Sequence, residues 1–341
     1  MSAPPPAVAA VRSAVRRVLS ALPADTTALV ACSGGADSLA LAGAVAFEAP
    51  RLGRPAGAVT VDHGLQEGSA ARADAVAEAL RGLGLSPVVV SAVEVGGAGG
   101  PEAAARRARY EALDGVSAAH APAVVLLGHT LDDQAETVLL GLARGSGARS
   151  LAGMAPRTGS YLRPLLDLDR ATVRRACHLM GLDPWEDPHN TDPRFARARV
   201  RHETLPALER TLGPGIAAAL ARTATMLRAD ADTLDSFADA LYAQAAGSSP
   251  ASTAGQGTPS APVATTGPDL AVAPLEAAPD ALRTRVLRRA ALAAGCSPSA
   301  LTARHVRELD RLVVDWRGQA HIDLPGGVRG RRAADRIRFE C

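Results

Sequence analysis

The hexapeptide Ser33-Gly34-Gly35-Ala36-Asp37-Ser38 carries the sharpest chemical signal in the chain. It stands between a short apolar run, Ala28 to Cys32, and a helical pattern that follows from Ser38. Two glycines allow a tight turn that presents its N–H groups, two serines add hydroxyl donors, and a new helix offers its positive end. Together Ser33, Gly34, Gly35, Ala36 and Ser38 make a phosphate cradle that needs no lysine. The loop is not a Walker A motif, which requires Gly-Lys-Ser/Thr. Asp37 would repel a bare phosphate, so its presence points to a metal ion beside the anion, with Asp37 as ligand.

Two further clusters invite chemistry. Val61-Asp62-His63-Gly64-Leu65 closes a second apolar run. An Asp–His pair alone reads as a turn and cap, but beside the phosphate loop Asp62 and His63 become candidates for the bound nucleotide. The third cluster runs Gly128-His129-Thr130-Leu131-Asp132-Asp133-Gln134-Ala135-Glu136-Thr137. Thr130 and the acids suit the start of a helix. His129, Asp133 and Glu136, spaced i, i+4, i+7, are expected to form one stripe. Ionisable groups on one stripe at the edge of a buried sheet call for a ligand. Two carboxylates suit an ammonium group or a metal, and a histidine titrating near neutrality suits proton transfer.

The elements that must position these residues are legible as alternating runs. Apolar stretches at 28–32, 56–61, 87–93 and 123–127 read as strands, and helical patterns cover 69–83, 102–119 and 131–142. Continuous apolar strands separated by helices indicate βαβ units and a buried parallel sheet. Ligands of such sheets bind beyond the carboxyl ends of the strands, where all three polar clusters fall. The reading is therefore α/β: a Rossmann-like parallel-sheet domain over 1–210, a helical connector over 211–246, a Gly/Ser/Pro-rich linker over 247–268 and a small α+β domain over 269–341. The last is expected to hold helices at 281–294 and 302–314 and strands at 321–324, 327–331 and 336–339.

Composition narrows the class. The net charge is +2, and all 37 basic residues are arginine, so no lysine-dependent catalysis by the chain is possible. Any polyanion must be met by local patches, not by a global field. Arg194, Arg197, Arg199 and Arg201 form one such stretch, and Arg329, Arg331, Arg332, Arg336 and Arg338 another. Each reads as phosphate contacts or as solvated charge. Arg106 and Arg109 pose the same choice, and Arg144 followed by Gly145 reads equally as a helix end. The four cysteines have no CxxC spacing, which argues against a zinc ribbon or a cysteine-held cluster. The apolar runs are too short to span a membrane, and Met1 to Ala10 lack the pattern of a secretory signal. A cytoplasmic protein is expected.

SGGxDS after the first strand resembles the PP-loop of the N-type ATP pyrophosphatases, which cleave ATP between its α and β phosphates. VDHGL, EAAARRARYEAL, GHTLDDQAETVLLGLARGSG, Arg163-Pro-Leu-Leu, the run Trp185 to Asp192 and the run Arg197 to Pro206 together resemble the tRNA(Ile)-lysidine synthetase family over about residues 28–210. The family usually has Arg-Asn where this chain has Arg197-Ala198.

The resemblance implies a C–N ligase. ATP would adenylate the C2 oxygen of the first anticodon cytidine in a CAU-anticodon tRNA(Ile), releasing pyrophosphate. The side-chain amine of free L-lysine would then displace AMP, and the product would change from methionine to isoleucine identity. The implied cofactors are ATP and Mg²⁺. Ser33 to Ser38, Asp62, His63, Arg109 and Gly128 would bind the nucleotide, with Asp37 on the metal. Asp133 and Glu136 would hold lysine, and Asp37, His129, Asp133 and Glu136 would form the catalytic set. Arg144, Arg194, Arg197 and Arg201 would meet tRNA, no membrane is implied, and a homodimer is possible. The alternative is another PP-loop adenylating or tRNA-modifying enzyme with a different nucleophile. Thiolation fits poorly because Cys32 and Cys177 are isolated.

Overall fold

A computed structural model describes residues 3–64, 68–96, 101–145, 147–247 and 267–340, with side chains from residue 104 in the third range. Leu65, Ser146 and all but Gly247, Gly267 and Pro268 of the expected linker lie outside the described residues. The chain divides into two compact units, Met1–Arg228 and Ala229–Cys341.

The first unit opens with α1 (Pro6–Ser20), which the strand-and-turn pattern had not signalled. Pro6 sits at its first position, where a missing N–H costs nothing, and Val8, Val11, Val15 and Leu19 bury one stripe. Then β1 (Thr27–Ala31), α2 (Ala36–Arg51), β2 (Ala56–Asp62), α3 (Ser69–Gly82), β3 (Val88–Ala92), α4 (Pro101–Ala119), β4 (Ala123–Leu127) and α5 (Leu131–Ala143) alternate as expected. There follow α6 (Gly147–Leu151), a hairpin of β5 (Arg157–Thr158) and β6 (Tyr161–Leu162), then α7 (Arg170–Leu179) and α8 (Ala196–Arg199). A π-helical turn, Val200–Thr204, joins α8 to α9 (Leu205–Leu212). Helix α10 (Ile216–Gly247) runs through the division between the units, so the stretch expected as a connector is largely one continuous helix.

The sheet order is β3-β2-β1-β4-β6-β5, parallel except for β5. Ala28 pairs with Ala56 on one side and Val124 on the other, which brings the ends of β1, β2 and β4 level. Alternate residues of these strands bury on opposite faces. Leu29, Val59, Val125 and Leu127 meet Leu113 of α4, while Val30, Ala58 and Leu126 join the core with α1, α2 and α7. Burial on both faces is why these strands read as unbroken apolar runs.

The second unit carries an antiparallel sheet in the order β7 (Asp269–Ala271), β10 (Arg336–Glu340), β9 (Arg329–Ala333), β8 (Ile322–Asp323). Helices α11 (Val272–Glu276), α12 (Asp280–Ala293) and α13 (Ala303–Val314) complete it, with Leu275, Leu287, Leu309, Ile337 and Phe339 in its core. Among the described residues no helix is long and apolar enough to cross a membrane.

Candidate active site

The phosphate loop is tied by its own serines. Ser38 Oγ donates to the Gly35 carbonyl at 2.9 Å and accepts from the Ser33 amide at 3.2 Å. Gly34 adopts φ +82°, and a Cβ there would stand 2.7 Å from Val76 Cγ2, so both conformation and space require glycine. The Trp185 amide donates to the Gly34 carbonyl at 3.0 Å, which fastens a distant segment onto the loop. Gly128 serves close approach: a Cβ there would come within 3.0 Å of the Asp37 carbonyl and 3.1 Å of the Ser38 nitrogen.

A cavity of about 380 Å³ opens beside the loop at the carboxyl ends of β1 and β2. Cys32, Ser33, Gly34, Asp62, His63, Arg109 and Trp185 line it, so it gathers Ser33, Gly34, Asp62, His63 and Arg109 of the residues expected to bind nucleotide, while Gly35, Ala36, Asp37, Ser38 and Gly128 do not line it. Asp62 Oδ1 accepts from the Gly64 amide at 3.0 Å, and this hydrogen bond holds its carboxyl below the usual range. Burial pushes His63 down, and the neighbouring Arg109 adds to the shift. Arg109 is itself lowered by burial. The Arg109 guanidinium on this void favours an anion there.

Asp37 lies in the first turn of α2, and burial pushes its carboxyl up to about 6 against the pull of Arg170. Its Oδ2 stands 3.7 Å from Arg170 Nε, and its buried Oδ1 has no hydrogen-bond partner. An orphaned carboxylate oxygen next to a phosphate cradle fits Mg²⁺, which typically takes one or two carboxylates together with substrate phosphates. Among the described residues no group of three acids, histidines or cysteines forms a complete protein cage.

The carboxylates of α5 make the densest charge network in this unit. Asp133 Oδ2 accepts from the amide and hydroxyl of Thr130, the residue that caps α5. Its Oδ1 accepts from Arg170 Nη2 at 2.8 Å and Arg201 Nη2 at 3.2 Å. Glu136, with no exposed side-chain surface, accepts from Arg170 Nη2 at 3.0 Å, Arg197 Nε at 2.8 Å and Arg201 Nε at 2.8 Å. Burial pushes both carboxyls up, but the arginines outweigh it and hold both below the ordinary range. Buried carboxylates persist only with such pairing.

Three expectations need correction. His129 is not on the helical stripe: α5 begins at Leu131 with Thr130 as its extended cap, so His129 precedes the helix. Burial lowers its pKa to about 3 and leaves Nδ1 unbonded, which removes the near-neutral basicity on which its proton-transfer role rested. Arg197 and Arg201 do not form an open basic stretch, because both turn inward onto Glu136 and Asp133. Arg194 pairs with Asp192, and Arg199 donates to the carbonyls of Pro193 and Arg194. Of the four arginines expected on tRNA, Arg144 is exposed at the end of α5. In the second unit Arg329, Arg331, Arg336 and Arg338 all pair with acids.

Arg170 escaped the sequence reading. It opens α7 behind its cap Asp169, and its amide donates to Asp132 Oδ2 at 2.7 Å. A cation in the first turn opposes the helix dipole, and that misfit was the available signal that its charge is needed elsewhere. Ala198, where the family usually has asparagine, is buried within α8.

A parallel sheet with this loop at its carboxyl edge defines a PP-loop nucleotide-binding protein, and the PP-loop domain model matches residues 10–208. A TilS substrate binding domain matches residues 270–338. The chain is 65% identical to the tRNA(Ile)-lysidine synthase of Thermobifida fusca over 97% of both chains. It is 54% identical to that of Streptomyces coelicolor over 98% of both, and 49% identical to that of Mycobacterium bovis over 89% of this chain and 86% of the other. The chain belongs to the tRNA(Ile)-lysidine synthase family. Among solved structures the U34-tRNA thiolase NcsA from Methanococcus maripaludis, with its [4Fe-4S] cluster, shares the fold: TM-score 0.54 and 20% identity, over 65% of this chain and 79% of that one.

Proposed function

We propose that this chain is an ATP-dependent ligase that joins free L-lysine to C2 of the first anticodon cytidine of CAU-anticodon tRNA(Ile), through an adenylated intermediate. The observation that carries the reading is the meeting of two sites through one side chain. Arg170 reaches Asp37 at the phosphate loop and Asp133 and Glu136 on α5, so an anion cradle and a cation seat share an edge.

In this reading the cavity beside Gly34 takes the nucleotide, and Ser33 to Ser38 with the first turn of α2 hold the departing pyrophosphate. Asp37 would hold Mg²⁺, which neutralises charge developing on the phosphates. Asp133 and Glu136 seat the ammonium of lysine. Their arginines keep both carboxylates ionised and fixed, and the ammonium enters by displacing the longest contact, Arg197 to Asp133 at 3.7 Å. Arg144 and Arg194 remain available to RNA phosphates, Arg194 by exchanging its exposed partner Asp192. Such an enzyme works in the cytoplasm, and a homodimer is tested by light scattering.

The deciding experiment incubates the protein with Mg-ATP, radiolabelled lysine and the CAU-anticodon tRNA(Ile). ATP-dependent label that survives alkali is expected, because an esterified aminoacyl-tRNA would lose it. ATP turnover to AMP without incorporation would retain the PP-loop chemistry and overturn lysine as the nucleophile.

A further inference from the structure

The sequence holds only two tryptophans. Trp185 lines the nucleotide cavity, with the Arg72 guanidinium 4.6 Å from its ring centroid. Trp316 is elsewhere, in the second unit, in the loop between α13 and β8, and is 41% exposed. It also has a guanidinium against its ring: Arg332 lies 4.8 Å from the centroid.

This surroundings is built rather than incidental. Arg332 Nη1 donates to the carbonyls of Leu312 at 3.0 Å and Val313 at 3.1 Å, and its Nε donates to Ala334 at 3.0 Å. The guanidinium thus caps the carboxyl end of α13 and cannot swing away from the indole. The loop itself is braced by Gln319, whose Oε1 accepts from the Arg317 amide at 2.7 Å and whose Nε2 donates to the Asp315 carbonyl at 3.2 Å. Gly318, at φ +85°, supplies the turn. The result is an exposed ring with a fixed guanidinium against it. The neighbouring Arg317 side chain is 80% exposed and pairs with the exposed Asp315, while His321 beyond it faces Asp323.

We infer that Trp316 is a stacking platform for one unstacked base of the tRNA, with Arg317 exchanging Asp315 for an adjacent phosphate. An aromatic face with a nearby exchangeable guanidinium matches a nucleotide, whose base has a π-face and whose phosphate takes an arginine. Placement within 270–338, the stretch matching a substrate-binding domain, agrees with that partner. The inference rests on tRNA being the substrate, and not on which nucleophile is used.

The test uses the full chain and unmodified CAU-anticodon tRNA(Ile). Trp316→Ala should raise the KM for tRNA about 5- to 160-fold, the range of one lost base stack. The KM values for ATP and lysine and the kcat should stay unchanged, and Trp316→Phe should recover most of the loss. In a Trp185→Phe chain the remaining indole emission belongs to Trp316. Saturating tRNA should quench it and shield it from acrylamide. An unchanged tRNA KM in Trp316→Ala, or emission and acrylamide access unaltered while filter binding shows tRNA bound, overturns the platform. Because quenching is read without catalysis, failure of lysine transfer alone would leave this result interpretable.

Discussion

Arg201 holds Glu136 as a fork, with Nε 2.8 Å from Oε1 and Nη2 3.2 Å from Oε2. The two residues lie 65 positions apart, on the π-helical turn and on α5. A planar fork fixes the direction of a carboxylate as well as its charge, which a single ammonium does not. Arg201→Lys should therefore keep the charge and lose the aim. We expect the KM for lysine to rise about tenfold, equivalent to about 1.4 kcal/mol, while lysine-independent adenylation changes less. An unchanged lysine KM would detach this pair from substrate binding.

Glu136→Gln tests the network from the other side. Three arginines would then face one fewer charge in a buried setting, where breaking a pair costs about 3–5 kcal/mol. The thermal midpoint should fall by several degrees, and lysine incorporation should fall far more than adenylation. Equal losses in both steps would make the cluster structural only.

Gly34→Ala combines two faults, a positive φ and a Cβ only 2.7 Å from Val76 Cγ2. The KM for ATP should rise at least tenfold. Adding Val76→Ala removes the collision but not the strain of about 1–2 kcal/mol, so recovery should be partial. Full recovery would mean that backbone conformation is unimportant to the loop.

His129 gives a pH prediction. Its folded pKa of about 3 lies below the ordinary 6.5, so between those values the unfolded chain binds a proton that the folded chain refuses. Stability from this residue is therefore intact above pH 6.5 and is lost as pH falls toward 3, by up to about 1.4 kcal/mol per pH unit. Denaturant titrations of His129→Asn should show a shallower loss over that window. A steeper one would contradict the burial. The activity profile near neutrality should be the same in this variant.

The parallel sheet was legible because its strands bury both faces and so read as apolar runs, and because turn and loop residues mark their ends. The phosphate loop was legible because its chemistry is local. The charge network was not. Arg170, Arg197 and Arg201 reach Glu136 across 34, 61 and 65 residues, and no local period records such pairings. The same blindness made the 194–201 arginines look like an open surface. His129 falls one residue ahead of the helix cap: spacing alone does not reveal that Thr130 caps the helix from an extended conformation.

The three guanidiniums around Asp133 and Glu136 have one more consequence. An activated cytidine is an electrophile open to any neutral amine within reach. Arginine stays protonated far above neutrality, and the chain contains no lysine side chain. With Asp133 and Glu136 as the proposed amine seat, the cations that shape it would be chemically mute. In that proposal the residues that orient the incoming nucleophile could not be captured in its place, and the protein would be protected from becoming a suicide substrate of its own intermediate.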